Sequence, residues 1–110
     1  MTSDEEQLIQ MARGGDQKAF GSLYDHYVGR IYRFILLKVS NRADAEDLTS
    51  AVFSNAWENM QRFELRGFPF SSWLYRIAGN VVIDHYRTAR RHEDLDALEY
   101  EHFASQVRAE

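Results

Sequence analysis

Apolar residues recur along most of the chain at spacings of three and four, the period of a helix with one buried face. Leu8, Ile9 and Ala12 form the first such group. Ser3 followed by Glu6 is a capping-box signature that opens a short helix there. Gly14 and Gly15 end it, since glycine takes the left-handed conformation at a helix end without steric cost. Asp16 then caps a longer helix with the stripe Phe20, Leu23, Tyr24, Tyr27, Ile31, Phe34 and Ile35. Ser40-Asn41-Arg42 reads as a turn. Asp44 is the expected cap of a third helix, with Glu46 and Asp47 in its first turn, where the helix dipole favours negative charge. Ala45, Leu48, Val52, Ala56, Met60 and Phe63 make its buried stripe. The pattern breaks at residues 65–69, because Gly67 permits unusual dihedrals and Pro69 disfavours helix at Phe68. Ser71 or Ser72 caps a fourth helix with Trp73, Leu74, Ile77, Ala78 and Val81 inside and Arg76, Asn80, Arg87, Arg90 and Arg91 outside. Beyond His92 the chain is only loosely amphipathic (Leu95, Leu98, Phe103) and reads as a frayed helix or a flexible linker. The expected fold is all-α, a compact bundle of about four helices.

A length of 110 residues suits one domain, and 45% apolar with 27% charged residues is ordinary globular composition. The absence of cysteine excludes disulfides, thiolate metal sites and cysteine nucleophiles. The longest apolar run is the four residues from Phe34 to Leu37, against the roughly 20 needed to cross a bilayer. The N-terminus, MTSDEEQ, is acidic where a secretory signal would be basic and then apolar, so a cytoplasmic protein is expected.

Charge changes the picture when taken by segment. Residues 1–61 carry six basic and nine acidic side chains (net −3), residues 62–91 six and two (+4), and residues 92–110 one and six (−5). The basic middle segment also holds Phe63, Phe68, Phe70, Trp73, Tyr75 and Tyr86. Guanidinium groups neutralise phosphates and flat rings stack on unpaired bases, so this mixture suits a nucleic-acid surface. It equally suits rings in a core beneath a solvated arginine face. A second open question is the acidic side of the third helix, Glu46, Asp47, Ser50, Ser54 and Glu58. By composition it is a solvated face; the alternative is a dock for a basic partner.

Little points to catalysis. His26, His85, His92 and His102 show no HExxH spacing, and the adjacent pairs Asp25-His26 and Asp84-His85 diverge on a helix. No glycine-rich phosphate loop or GxSxG elbow occurs. A metal-dependent hydrolase built on Glu46, Asp47 and the histidines would need bound metal that this spacing does not favour. The chain is read as a non-enzyme without a cofactor or metal.

Three stretches carry a resemblance: DAEDLTSAVFSNAW (Asp44 to Trp57), the ring-and-arginine loop, and FSSWLYRIAGNVVIDHYR (Phe70 to Arg87). Together they resemble the second conserved region of bacterial sigma factors, within the extracytoplasmic-function group, over about residues 4 to 92. DAEDL followed some thirty residues on by WLYRIA and Asn80 is a specific combination. The resemblance implies a domain that docks on the clamp helices of the largest subunit of core RNA polymerase, recognises the minus-ten promoter element and assists its melting. An anti-sigma factor is a further implied partner. By the same resemblance, Asp44, Glu46, Asp47, Leu48, Ser50, Ala51 and Ser54 lie on the polymerase-binding face, which reverses the preference for mere solvation. The segment from Glu64 to Ser72 matches a pocket for a flipped-out base. The DNA-binding set becomes Arg62, Phe63, Arg66, Gly67, Phe68, Phe70, Ser72, Trp73, Arg76, Asn80, Asp84, Arg87, Arg90 and Arg91. The last three would lie towards upstream phosphates, and some of the others buttress the loop.

Two departures accompany the match. Ser50 and Ala51 stand where the family usually has glutamine and an acid, which implies a weakened or redistributed polymerase contact. Residues 93–110 resemble the start of a linker to a helix-turn-helix domain, and the chain is read as a fragment of a two-domain protein rather than a one-domain relative. The rival reading is a sigma-like interaction module that binds polymerase or an anti-sigma factor without reading DNA.

Overall fold

The computed structural model describes residues 4–64 and 67–109, with side chains to residue 106. It is built from helices α1 (Asp4–Arg13), α2 (Gln17–Val39), α3 (Arg42–Glu58) and α4 (Phe70–Ala109), with a 3-10 turn at Met60–Arg62 after α3. The helix borders follow from local chemistry. α1 ends where Gly15 enters the left-handed region at φ 98°. Asp16 caps α2, its carboxylate accepting from the Ala19 amide at 3.1 Å. Ser40, at φ 55°, closes α2 with its amide donating to the Leu36 carbonyl at 2.9 Å. Ser3, the expected start of the first capping box, lies outside the described residues.

Two expected caps are corrected. The N-cap of α3 is Asn41, whose side chain accepts from the Asp44 amide at 2.9 Å; Asp44 itself sits in the first turn, and Glu46 and Asp47 come after it. A cap must have an extended backbone, and Asn41 has it (φ −145°, ψ 122°). α4 starts at Phe70, directly after Pro69, whose carbonyl accepts from the Ser72 amide at 3.1 Å. Neither Ser71 nor Ser72 is needed as a cap, because proline already supplies a helix-compatible φ.

α2 lies against all three other helices and forms the axis of the bundle. Leu23, Tyr27, Ile31 and Ile35 run buried along it, meeting Ile9 and Ala12 of α1, Ala45, Val52 and Ala56 of α3, and Leu74, Ala78 and Val82 of α4 in one core. The stripe of α3 is wider than its periodicity suggested, since Thr49 and Phe53 are also buried and Leu48 only partly. The cause is that α3 packs on both α2 and α4. Thr49 is accommodated because its hydroxyl donates to the Ala45 carbonyl at 2.6 Å. Met60 and Phe63 are buried as expected, although both lie beyond α3.

α4 has two halves. Up to Val82 it contributes buried residues to the core, whereas residues 90–106 are exposed except for a half-buried Ala104. The acidic segment is therefore helical to Ala109 rather than a loose linker. It extends away from the bundle, giving extents of 78 × 25 × 24 Å.

Candidate nucleic-acid and protein interfaces

The aromatic residues around the start of α4 divide by depth. Phe70 is 1% exposed and Phe63 is 4% exposed. Phe70 meets Tyr27 edge-on at 5.6 Å and Phe63 at 5.5 Å, and Trp73 lies 4.9 Å from Phe63. Phe68 is 67% exposed, just past Gly67 at φ 79°. Glycine supplies the left-handed turn that presents Phe68 outside while Phe70, two residues later, points into the core. Phe70 is thus corrected from a surface ring to a core ring, while Phe63 is a buried ring that also closes the floor of a pocket.

That pocket has a volume of about 420 Å³ and is lined by Arg62, Phe63, Glu64, Phe68, Ser72, Trp73 and Arg76. Four of the seven, Arg62, Phe63, Glu64 and Phe68, come from the 3-10 turn and the loop after it, and three, Ser72, Trp73 and Arg76, from the first turns of α4. Glu64, placed in the loop by the motif match, also lines the wall. Leu65 and Arg66 lie outside the described residues. The combination of tilted ring surfaces, two guanidinium groups and one carboxylate can hold a flat, polar-edged group.

Arg76, Asn80, Arg87, Arg90 and Arg91 continue from the pocket along α4, all exposed. Their spacing places them on one side of the helix, and Arg76 to Arg91 spans about 22 Å at 1.5 Å per residue. Asp84 is exposed on the same helix, four residues after Asn80 and three before Arg87. It also borders a slot between α3 and α4, with Leu48, Ala51, Val81, His85 and Thr88.

On α3, Glu46, Asp47, Ser50, Ala51 and Ser54 are exposed and Leu48 is half-buried. Asp44 is turned towards α4, its Oδ2 3.8 Å from Nε2 of His85. Besides the slot beside α4, a second one of about 340 Å³ opens between α2 and α3, lined by Tyr24, Val28, Gly29 and Tyr32 together with Glu46, Thr49 and Ser50. Tyr24 was expected in the core stripe of α2 but is exposed, and Val28, Gly29 and Tyr32 lie beside that stripe, so periodicity marked none of the four as a site residue. Ser50 and Ala51 each line one of these slots.

Tyr27 ties the core to the N-terminal helix: its hydroxyl donates to the Glu5 carboxylate. Burial, with the Glu5 hydrogen bond and charge adding to it, pushes the Tyr27 phenol up to about 12. Tyr86 fastens α4 near the end of α2 by donating to the Lys38 carbonyl. Among the described residues no group of three or more His, Cys, Asp or Glu could hold a metal ion, and no helix is long and apolar enough to cross a membrane.

The family model for Sigma-70 region 2 matches residues 23–92, which include both faces just described. The ECF RNA polymerase sigma factor BldN of Streptomyces coelicolor is 41% identical over 101 residues, covering 86% of this chain and 38% of BldN. The ECF RNA polymerase sigma factor SigW of Bacillus subtilis is 37% identical over 89 residues, covering 81% of this chain and 47% of SigW. The chain therefore spans less than half the length of these curated relatives. Among solved structures, an engineered region 2 of sigmaE in complex with GTAAAA matches with a TM-score of 0.74 at 28% identity, over 83% of this chain and 97% of that one. BldN in its complex with RsbN matches with a TM-score of 0.67 at 42% identity, over 74% of this chain and 59% of that one. A bundle with these motifs, matched over most of its length by region 2 of such proteins, belongs to the Sigma-70 region 2 family, in its extracytoplasmic-function group.

Proposed function

We propose that this domain acts in transcription initiation, binding core RNA polymerase through α3 and capturing the unpaired minus-ten strand at the pocket before α4. The observation that carries the reading is the 420 Å³ pocket with Phe68, Trp73, Arg62 and Arg76 around it, in a chain of this family. The complex of the related sigmaE region 2 with GTAAAA supports it. Phe68 and Trp73 offer ring surface to a base, while the arginines on α4 neutralise neighbouring phosphates. Phe63 and Phe70 act from beneath, holding Trp73 in place. Capture of a base on a ring is worth about 1–3 kcal/mol, which roughly balances the few kcal/mol needed to unstack it. Binding of DNA by the domain alone is therefore weak, and polymerase must hold the promoter against it. The domain has no chemistry of its own to perform and works in the bacterial cytoplasm. Residues 93–110 form the connection to a further domain, beyond the end of the family match at His92.

The docking surface for polymerase, in particular its clamp helices, is the exposed set Glu46, Asp47, Ser50, Ala51 and Ser54, with Asp44 and Leu48 at its inner edge. An anti-sigma protein is a further partner; support comes from the related BldN, whose structure is a complex with RsbN.

Fluorescence anisotropy with single-stranded non-template minus-ten DNA and the polymerase-bound protein tests the DNA assignment. Phe68→Ala should weaken capture by about 1–3 kcal/mol. Wild-type binding by both Phe68→Ala and Arg66→Ala, with no binding of the free domain at low salt, would leave only the interaction-module reading. Asp47→Arg, at an exposed position, should abolish association with core polymerase while leaving the circular dichroism spectrum unchanged.

A further inference from the structure

We propose that two copies of this chain pair antiparallel through the part of α4 beyond the bundle, the acidic extension of each lying along the arginines of the other. Residues 90–106 are exposed except for the half-buried Ala104. A helix that packs on nothing is marginal in water, because helices in proteins owe most of their stability to a buried apolar face. This extension has such a face, and nothing in the chain covers it. Leu95, Leu98, His102 and Gln106 follow one another at intervals of three and four, with Leu95 54% and Leu98 61% exposed. Phe103, at the edge of the same stripe, is 63% exposed. Arg91, four residues before Leu95, joins the stripe to the arginine side of α4.

Charge selects the occupant. Arg87, Arg90 and Arg91 lead into the stripe, and five acids between Glu93 and Glu101 run along it. These acids cannot fold back on the chain's own arginines, because α4 is one continuous helix and Glu101 lies about 21 Å beyond Arg87 at 1.5 Å per residue. Among the described residues no ion pair engages Arg87, Arg90, Arg91 or Glu101. A surface that is basic and then acidic along one helix is matched by the same surface running the other way, which is the condition for a two-fold pair. Arg87, Asp94 and Glu101 are seven residues apart and share one side of the helix. A two-fold axis at Asp94 therefore sets Glu101 of each copy beside Arg87 of the other. It brings the two Leu95 side chains together and lays Leu98 against the aliphatic stems of Arg90 and Arg91. The two Asp94 carboxylates also meet there, a like-charge contact that keeps the pair modest in affinity. A parallel pair would instead stack arginine on arginine and acid on acid over its whole length. The pairing covers arginines that the proposed function gives to DNA, but it is argued from α4 alone and does not depend on that function.

The test is sedimentation equilibrium of the chain over a concentration series at low salt, with circular dichroism as the check on folding. A monomer–dimer equilibrium is expected. Leu98→Ala should weaken it about tenfold, since the lost contact occurs twice in the pair. Arg87→Glu and Glu101→Arg should each weaken it about tenfold, and the two together in one chain should return it to within about threefold of the starting value. Direction is read from a nitroxide label on Ser105→Cys, the chain having no cysteine of its own. In the antiparallel pair the two labelled positions lie about 33 Å apart along the helices, whereas a parallel pair holds them about 10 Å apart. A monomer at every concentration overturns the proposal and leaves the stripe to a different protein. A dimer that Leu98→Ala does not weaken, that the double charge exchange does not restore, or that gives the short label distance overturns it equally.

Discussion

Phe70 and Phe68 are separated by one residue and are of the same type, yet one is in the core and the other in solvent. What differs is backbone: Gly67 at φ 79° turns the chain just before Phe68, Pro69 separates the two rings, and helix geometry at Phe70 then aims its ring at Tyr27 and Phe63. Phe70→Ala should therefore destabilise the domain by about 3–5 kcal/mol, measured by chemical denaturation. Phe68→Ala should leave stability nearly unchanged and act on DNA alone. Tyr27 makes a second prediction at this scale. Its folded pKa, about 12, lies above the 10.0 of the free side chain, so the neutral phenol is the form the fold prefers. Its contribution is fully present below pH 10 and is lost as pH rises from there through about 12. Tyr27→Phe should remove that part of the alkaline loss, read as a smaller drop in denaturation midpoint between pH 9 and 11, while losing the hydrogen bond to Glu5 at neutral pH.

At the scale of elements, the helix borders depend on single caps, and the positions of these caps decide which acids remain outside. With Asn41 as the cap of α3, Glu46 and Asp47 are freed from local duty in the first turn and stand exposed on the proposed docking side. Asn41→Ala should lower stability by about 1 kcal/mol, seen as a shifted denaturation midpoint, without altering that acidic surface. α4 shows the opposite dependence on context. Its first half is built by burial against α2 and α3, whereas residues 90–106 contribute no buried side chain. Removing residues 93–110 should reduce the helical circular dichroism signal but leave the denaturation midpoint of the bundle almost where it was.

For the whole molecule, the charge blocks of the chain fall on different parts of the fold: the acidic first block on α1 to α3, with Glu46 and Asp47 exposed on α3, the basic block on the pocket and the arginine side of α4, and the acidic last block on the helical extension. The proposed function needs this sorting, because a basic protein surface is attracted to exposed acids and a polyanion to exposed arginines. Arg76, Arg87, Arg90 and Arg91 are the arginines aligned on α4. If all four meet phosphates, the slope of log affinity against log salt should be about −3 to −4, measured with promoter DNA in the polymerase complex. Replacing Arg87, Arg90 and Arg91 together by alanine should flatten that slope to about −1.

The sequence by itself determined the helical class, the near positions of the four helices, the caps of the turn at Gly15-Asp16, the sorting of charge and the motif that names the family. These are properties of spacing and residue type, which act within a few residues of each other. It also separated Leu74, as a packing residue, from the arginines nearby. Only the tertiary structure decided which loop ring is buried, that Asp44 faces His85, that Asp84 borders the α3 slot, and that Tyr24 and Tyr32 of α2 join Glu46 and Ser50 of α3 around one opening. Periodicity identifies the buried face of a helix but not the neighbour that covers it, and in a loop there is no period at all. The basic-aromatic stretch is accordingly resolved by depth: a ring floor, a pocket above it, and a line of arginines leading away along α4.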